Sequence, residues 1–136
     1  MSARAWHRRW YAAVPLLCLG TVASAQPLIP AEFRITARGH RVPPALLFAI
    51  ALTESGLRRG DGPFAPWPWT LNVEGRAERY DTLARAKAAL AQHIAAGRSV
   101  DIGLLQRNWR WHAQRFVNAD QALDPAHNLA AGAAVL

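Results

Sequence analysis

The sequence predicts a mainly α fold in a single domain, with at most a short β segment. Three observations carry that expectation. Apolar residues recur at helical spacing, in segments opened by proline or a capping side chain and closed by glycine. No run of alternating strands, internal repeat or low-complexity tract separates them. A chain of 136 residues suffices for one domain and is short for two.

The first residues stand apart from the fold. Arg4, Arg8 and Arg9 precede an apolar run from Ala12 to Val22, and Ala23-Ser24-Ala25 supplies a small-x-small triplet. This is the three-part pattern of a signal peptide over residues 1–25, which predicts a periplasmic or secreted mature chain. The alternative is an uncleaved anchor, for which the run is short. Pro15-Leu16-Leu17 lacks the small residue expected before a lipidated cysteine, and Cys18, the only cysteine, leaves with the leader. The mature domain, 26–136, is therefore expected to hold by packing without a disulfide. Removing three arginines from sixteen basic side chains leaves thirteen against nine acidic ones, a net charge of about +4. Such a surface suits an anionic wall polymer, a membrane face or nucleic acid, or serves solubility alone.

The elements follow in order. A short helix from Pro30 to Arg38 stops at Gly39. Pro43-Pro44 opens a second helix whose body, Ala45 to Thr53, is apolar on every face. That pattern predicts a helix buried on all sides, running to about Leu57. Residues 60–72 are too rich in Gly, Pro and Trp for helix, and Trp69 to Val73 is the one candidate strand. Asp81 or Thr82 caps a third helix to about Ala96, with Leu83, Ala86, Leu90, His93 and Ile94 on one face and Gly97 as its stop. After a compact stretch over 99–108 comes a helix carrying Trp109, Trp111 and Phe116. Asp124 as N-cap and Pro125 at the first position start the last helix, with Leu129, Ala133 and Leu136 at helical spacing.

Glu54 is the residue of greatest chemical interest. It sits near the C-terminus of the apolar second helix, where partial burial and the negative end of the helix dipole both favour a protonated carboxyl. A general acid working near neutral pH needs that bias. The competing reading is an i, i+4 ion pair with Arg58, worth a few tenths of a kcal/mol.

Glu54-Ser55-Gly56 after an apolar helix, then Asp101-Ile102-Gly103-Leu104-Leu105-Gln106-Arg107-Asn108, then Asn128-Leu129-Ala130-Ala131-Gly132, resembles the soluble lytic transglycosylase domain of the lysozyme-like superfamily. Leu105 stands where that family usually has methionine. Pro68-Trp69-Thr70-Leu71-Asn72 and Ser99-Val100-Asp101 resemble its small members associated with conjugation, type IV secretion or pilus systems. The resemblance covers roughly residues 40–136 and rests on the ordered set of motifs. It implies helices around a cleft and cleavage of the β-1,4 bond between N-acetylmuramic acid and N-acetylglucosamine in peptidoglycan. By the same resemblance Glu54 is both acid and base, and the product carries a 1,6-anhydro ring. Ser55 is expected near the carboxyl and substrate, with Gln106 and the backbone around Leu105 holding an N-acetyl group. Asn72 is expected on the opposite side of the cleft, and Trp69 as a sugar-stacking wall.

Simpler roles compete at each position. Ser55 and Asn72 are also natural caps or turn formers. Gln106 is also an ordinary exposed polar residue after a turn. Core filling would account for part of the set Trp67, Trp69, Trp109 and Trp111. His40, His93, His112 and His127 show no ligand spacing, so neither a metal nor a cofactor is expected. Nucleic acid is not an expected partner, because the charge is modest and no reading motif is present.

The family continues past the Asn-x-x-x-Gly helix to a tyrosine-bearing segment, whereas Tyr11 and Tyr80 lie elsewhere and this sequence stops at Leu136, so the domain is expected to be C-terminally incomplete. Two rival functions remain. One is a lysozyme-like hydrolase in which Asp61, Glu74 or Asp101 positions a water. The other is a non-catalytic murein-binding scaffold for a secretion channel.

Overall fold

Proline and backbone geometry set the helix ends, and in the first helix they do so differently from expectation. The computed structural model describes residues 28–136, so the expected leader, Cys18 included, lies outside the described residues. Helix α1 covers Ala31–His40 and runs through Gly39. Its stop is Arg41, in the left-handed region at φ 59°, with Arg41 N–H donating to Arg38 and Val42 N–H to Ala37 at 2.9 Å. This double closure needs a hydrophobic residue just past the cap, and buried Val42 fills that place better than the residue after Gly39 would.

Helix α2 covers Pro44–Ser55 and ends two residues early, because Gly56–Arg58 leaves the helix as strand β1. It is not buried on all sides. Leu47, Phe48, Ala51 and Ser55 face inward, while Leu46, Ala49, Thr53 and Glu54 are exposed. Burial of Leu47 contributes roughly 1.5–3 kcal/mol. Its partners are Phe33, Val42, Leu104, Leu105, Leu129 and Ala133, which form one core with α1 and the last helix. Phe33 and Phe48 meet edge to face at 5.1 Å.

The expected mainly α class with at most a short β segment is overturned: six helices stand beside six strands in two antiparallel sheets among the described residues, a mixed α and β fold. Strand β1 pairs with β2, Phe64–Pro66. Strands β3 (Thr70–Val73), β4 (Arg76–Arg79), β5 (Val100–Ile102) and β6 (Arg107–Asn108) form the second sheet in the order β4-β3-β5-β6. At two to four residues, these strands are too short to display an alternating pattern. The β3–β4 hairpin turns at Glu74-Gly75 with φ of 52° and 91°, the geometry normally signalled by Asn-Gly or Asp-Gly. Glu-Gly hides it.

Helix α3, Leu83–Ala95, starts as expected at Thr82, whose hydroxyl accepts from Arg85 N–H. Its Ala86 and Leu90 cover Leu71, Val73, Val100 and Ile102, making a second core. The expected helix over Trp109 to Phe116 is only α4, Trp109–His112, followed by a 3₁₀ turn over Ala113–Arg115. A further short helix α5, Ala119–Ala122, was not expected. Helix α6, Pro125–Ala133, has the expected Asp124 cap and Pro125 start, and ends before Leu136. Among the described residues no helix is long and apolar enough to cross a membrane.

Candidate active site

The end of α2 is locked to the rest of the molecule through Ser55. Its buried hydroxyl donates to the Leu104 carbonyl at 2.9 Å and lies 3.0 Å from that of Ala51. The Ser55 carbonyl accepts from Trp67 N–H at 2.9 Å. Thr70 Oγ1 donates to the Trp67 carbonyl at 2.8 Å. The Thr70 carbonyl in turn accepts from Gly103 N–H at 2.8 Å and from Gln106 Nε2 at 3.3 Å. Through the Gly103–Gln106 turn this returns to Leu104, so a closed ring of hydrogen bonds joins three separate parts of the chain.

The turn itself is fixed from behind by Asn128, a fully buried residue of α6. Its Oδ1 accepts from Leu105 N–H at 2.8 Å, and its Nδ2 donates to the carbonyls of Ile102 and Ala122 at 2.8 and 2.9 Å. Gly103 has φ 77°, and a side chain there would run into the Asn128 amide. Gly132 lies directly against the Leu105 side chain, which leaves no space for a Cβ.

The sequence-selected residues divide accordingly. Glu54 is exposed and makes no hydrogen bond or ion pair with a described residue, so the expected partial burial does not hold. Nor is there an ion pair with Arg58, because α2 has ended and Arg58 Nη1 donates to the Gly62 carbonyl at 2.9 Å. Ser55 is turned inward and acts through the turn. The Leu105 N–H is taken by Asn128. Gln106, at φ 43°, also donates to the Gly103 carbonyl at 2.8 Å, which holds its side chain back against its own turn.

Asn72 sits in a row of cross-strand partners, Ala77, Asn72, Asp101 and Asn108, that share one face of the second sheet. The opposite face is the α3 core. Asn108 Nδ2 donates to Asp101 Oδ1 at 2.8 Å, and Asn72 Oδ1 is buried without a hydrogen-bond partner. Arg79 Nη2 donates to the Gly56 carbonyl at 3.4 Å, bringing β4 against the chain just after Glu54. Trp69 is half-buried and meets Trp67 edge to face at 5.1 Å, with Arg59 4.5 Å above the Trp67 ring. Trp69 and Trp109 lean on the second core, while Trp111 is exposed.

An apolar groove of about 590 Å³ runs beside the turn, lined by residues that include Phe33, Phe48, Phe64, Pro66, Pro68 and Leu104. Glu54 does not line it. Tyr80 is engaged elsewhere, donating its hydroxyl to Glu78, which His93 Nε2 also contacts at 2.9 Å and Arg76 pairs at 3.0 Å. Thr70 and Asn128, members of the resembling motifs with no role assigned from the sequence, are site-building residues. Asn128 carried a signal, a polar residue on the inward face of an otherwise apolar helix.

No family model, curated protein or solved structure matches the chain.

Proposed function

We propose that this chain is an exported peptidoglycan lytic transglycosylase, with Glu54 as its acid and base. The observation that supports the reading is the hydrogen-bonded ring. The segments 54–56, 68–72 and 103–106 that resemble a lytic transglycosylase, distant in sequence, meet within it, and the segment 128–132 braces it. Glu54 stands exposed at its edge, open to a large polymeric substrate.

In this reading Glu54 gives its proton to the glycosidic oxygen as the bond from the muramoyl C1 breaks, and the substrate's acetamido group steadies the cationic centre. The carboxylate then takes the proton of the muramoyl C6 hydroxyl, whose oxygen bonds to C1 and closes the 1,6-anhydro ring. No water is consumed. The bound glycan supplies the cover that an exposed acid requires. Local wall opening for an envelope-spanning conjugation, secretion or pilus machine is the role that fits such an activity.

The test is Glu54→Gln on purified murein, with products read by mass spectrometry. Wild type should release anhydro-muropeptides and the variant none, with an unchanged circular dichroism spectrum. Full activity in the variant overturns the assignment. A product one water heavier identifies a hydrolase instead, with Asp101 on the polar sheet face as the first second carboxylate to replace. The exposure of Glu54 favours one further reading, a murein-binding scaffold without catalysis, which predicts co-sedimentation with murein and no soluble product.

A further inference from the structure

Strand β6 is an outer strand of its sheet, and its two residues point to opposite faces. Asn108 lies on the polar face, opposite Asp101. Arg107 is paired with buried Ile102 and lies on the other face, away from Asn72 and the candidate active site. There its Nη2 stands 2.6 Å from Nε2 and 3.0 Å from Nδ1 of His112, the last residue of α4. Arg107 Nε is buried and has no hydrogen-bond partner among the described residues. Arg115 closes the 3₁₀ turn that begins just after His112, and its charge acts on both Arg107 and His112. Two guanidinium groups and an imidazole therefore share one neighbourhood. Among the described residues neither arginine forms an ion pair. Asp101 is the acid whose charge acts on Arg107, and its Oδ1 already accepts from Asn108.

A purely structural contact gains little from this arrangement. Arg107 can donate only to a ring nitrogen that carries no proton, so the contact requires a neutral His112. Burial foremost, then Arg107 and Arg115, hold His112 below its ordinary range. Burial and then Arg115 likewise lower Arg107, with Asp101 opposing them. Like charges are thus held together and a buried N–H is left over, each destabilising the free protein. A multiply charged anion relieves the crowding. It accepts from both guanidinium groups and lets His112 take up a proton and donate as well.

We infer that Arg107, His112 and Arg115 form a binding site for a phosphate-type oxyanion, separate from the candidate active site. A single carboxylate neutralises one of the two guanidinium charges, whereas a tetrahedral dianion neutralises both and has oxygens for all three side chains. The phosphate can be free in solution or the headgroup of a phosphomonoester lipid, since the chemistry at these side chains is the same. Binding is coupled to protonation. His112, faced by Arg107 and Arg115 with Asp101 beyond Arg107, is biased towards neutrality in the free protein and towards the charged form beside a dianion. Binding therefore takes up a proton and tightens as pH falls. The site is independent of the chemistry proposed for Glu54.

The experiment titrates the full chain with sulfate, reading the His112 ring by nuclear magnetic resonance and the affinity by calorimetry. Sulfate keeps its double charge between about pH 5 and 8, the range in which imidazoles titrate, so the pH dependence belongs to the protein. A saturable shift of the His112 resonances is expected, with affinity about threefold to tenfold higher at the acid end. Chloride at equal ionic strength should not reproduce it, and inorganic phosphate at fixed pH should compete. R115Q, an exposed change, should weaken binding about threefold to tenfold, and H112Q should abolish the pH dependence. Arg85→Gln, an exposed change on α3, should alter neither, and circular dichroism checks the fold of each variant. Absence of a saturable shift, equal affinity in R115Q, or an intact pH dependence in H112Q overturns the site. Phosphatidylcholine vesicles with and without phosphatidic acid distinguish the sources. Arg115-dependent association with phosphatidic acid supports the site with a lipid headgroup as occupant. Binding of sulfate and phosphate without vesicle association supports it with a soluble one.

Discussion

The hydroxyl of Ser55 donates to the carbonyl of Leu104 at 2.9 Å, across 49 positions of sequence and inside the protein. It is the direct link between the helix that presents Glu54 and the turn that follows β5. Serine is suited to the place because a helix-end hydroxyl can also sit against the carbonyl one turn back, here Ala51 at 3.0 Å.

Ser55→Ala removes the donor and leaves the Leu104 carbonyl buried and unpaired. The expected cost is about 1–3 kcal/mol, read as a lower urea midpoint with an unchanged slope. Under the proposed activity, release of product from murein should fall as well, since the turn loses its tie to the helix that carries Glu54. Unchanged stability would mean that the link is dispensable.

The Gly132–Leu105 approach predicts a non-additive pair. Gly132→Ala forces a methyl into Leu105 and should destabilise by about 1–3 kcal/mol. Leu105→Ala alone should also destabilise, by opening a cavity. Together they should cost less than the sum of the two, with a coupling of at least about 0.5 kcal/mol in a double-mutant cycle. Simple additivity would show that the two residues do not meet.

The Glu78 cluster predicts an acid limb in stability. The Tyr80 hydroxyl foremost, against an opposing burial cost and with help from His93 and Arg76, lowers the Glu78 carboxyl from 4.5 to about 2. A carboxyl depressed in the folded state binds its proton more readily when unfolded. Its stabilisation is therefore complete above pH 4.5 and is lost as pH falls towards 2. Chemical denaturation across that window should show the loss, and Glu78→Gln should reduce the slope. Tyr80 works at the other end. Burial, then Glu78, raises its hydroxyl from 10 to about 12, so its share is complete below pH 10 and is lost as pH rises through 12.

The helices were legible because their punctuation is local. Thr82, Asp124 with Pro125, and Pro43-Pro44 act within one turn of themselves, and the structure uses all three. Arg41 was not legible, since a left-handed arginine is stabilised by Val42 finding the core and not by its own side chain. The sheets escaped for a related reason. A three-residue strand such as Val100–Ile102 owes its conformation to partners at 71–73, which no local pattern records. At the site, residue types suggested Glu54, Ser55 and Gln106 but not their orientations. The sequence places Ser55 and Glu54 side by side, yet the end of α2 turns one wholly inward and leaves the other in water.

In the ring around Ser55, every acceptor is a main-chain carbonyl: those of Leu104, Ser55, Trp67 and Thr70. Only Ser55, Thr70 and Gln106 contribute donors from side chains. The arrangement therefore constrains the spelling of the chain at very few places. Leu104 and Trp67 could be exchanged for residues of similar bulk while their carbonyl and amide groups kept the same bonds. Chains descended from a common ancestor could thus drift until little but three side-chain donors and their glycines remained alike, and still hold a glutamate at the same edge.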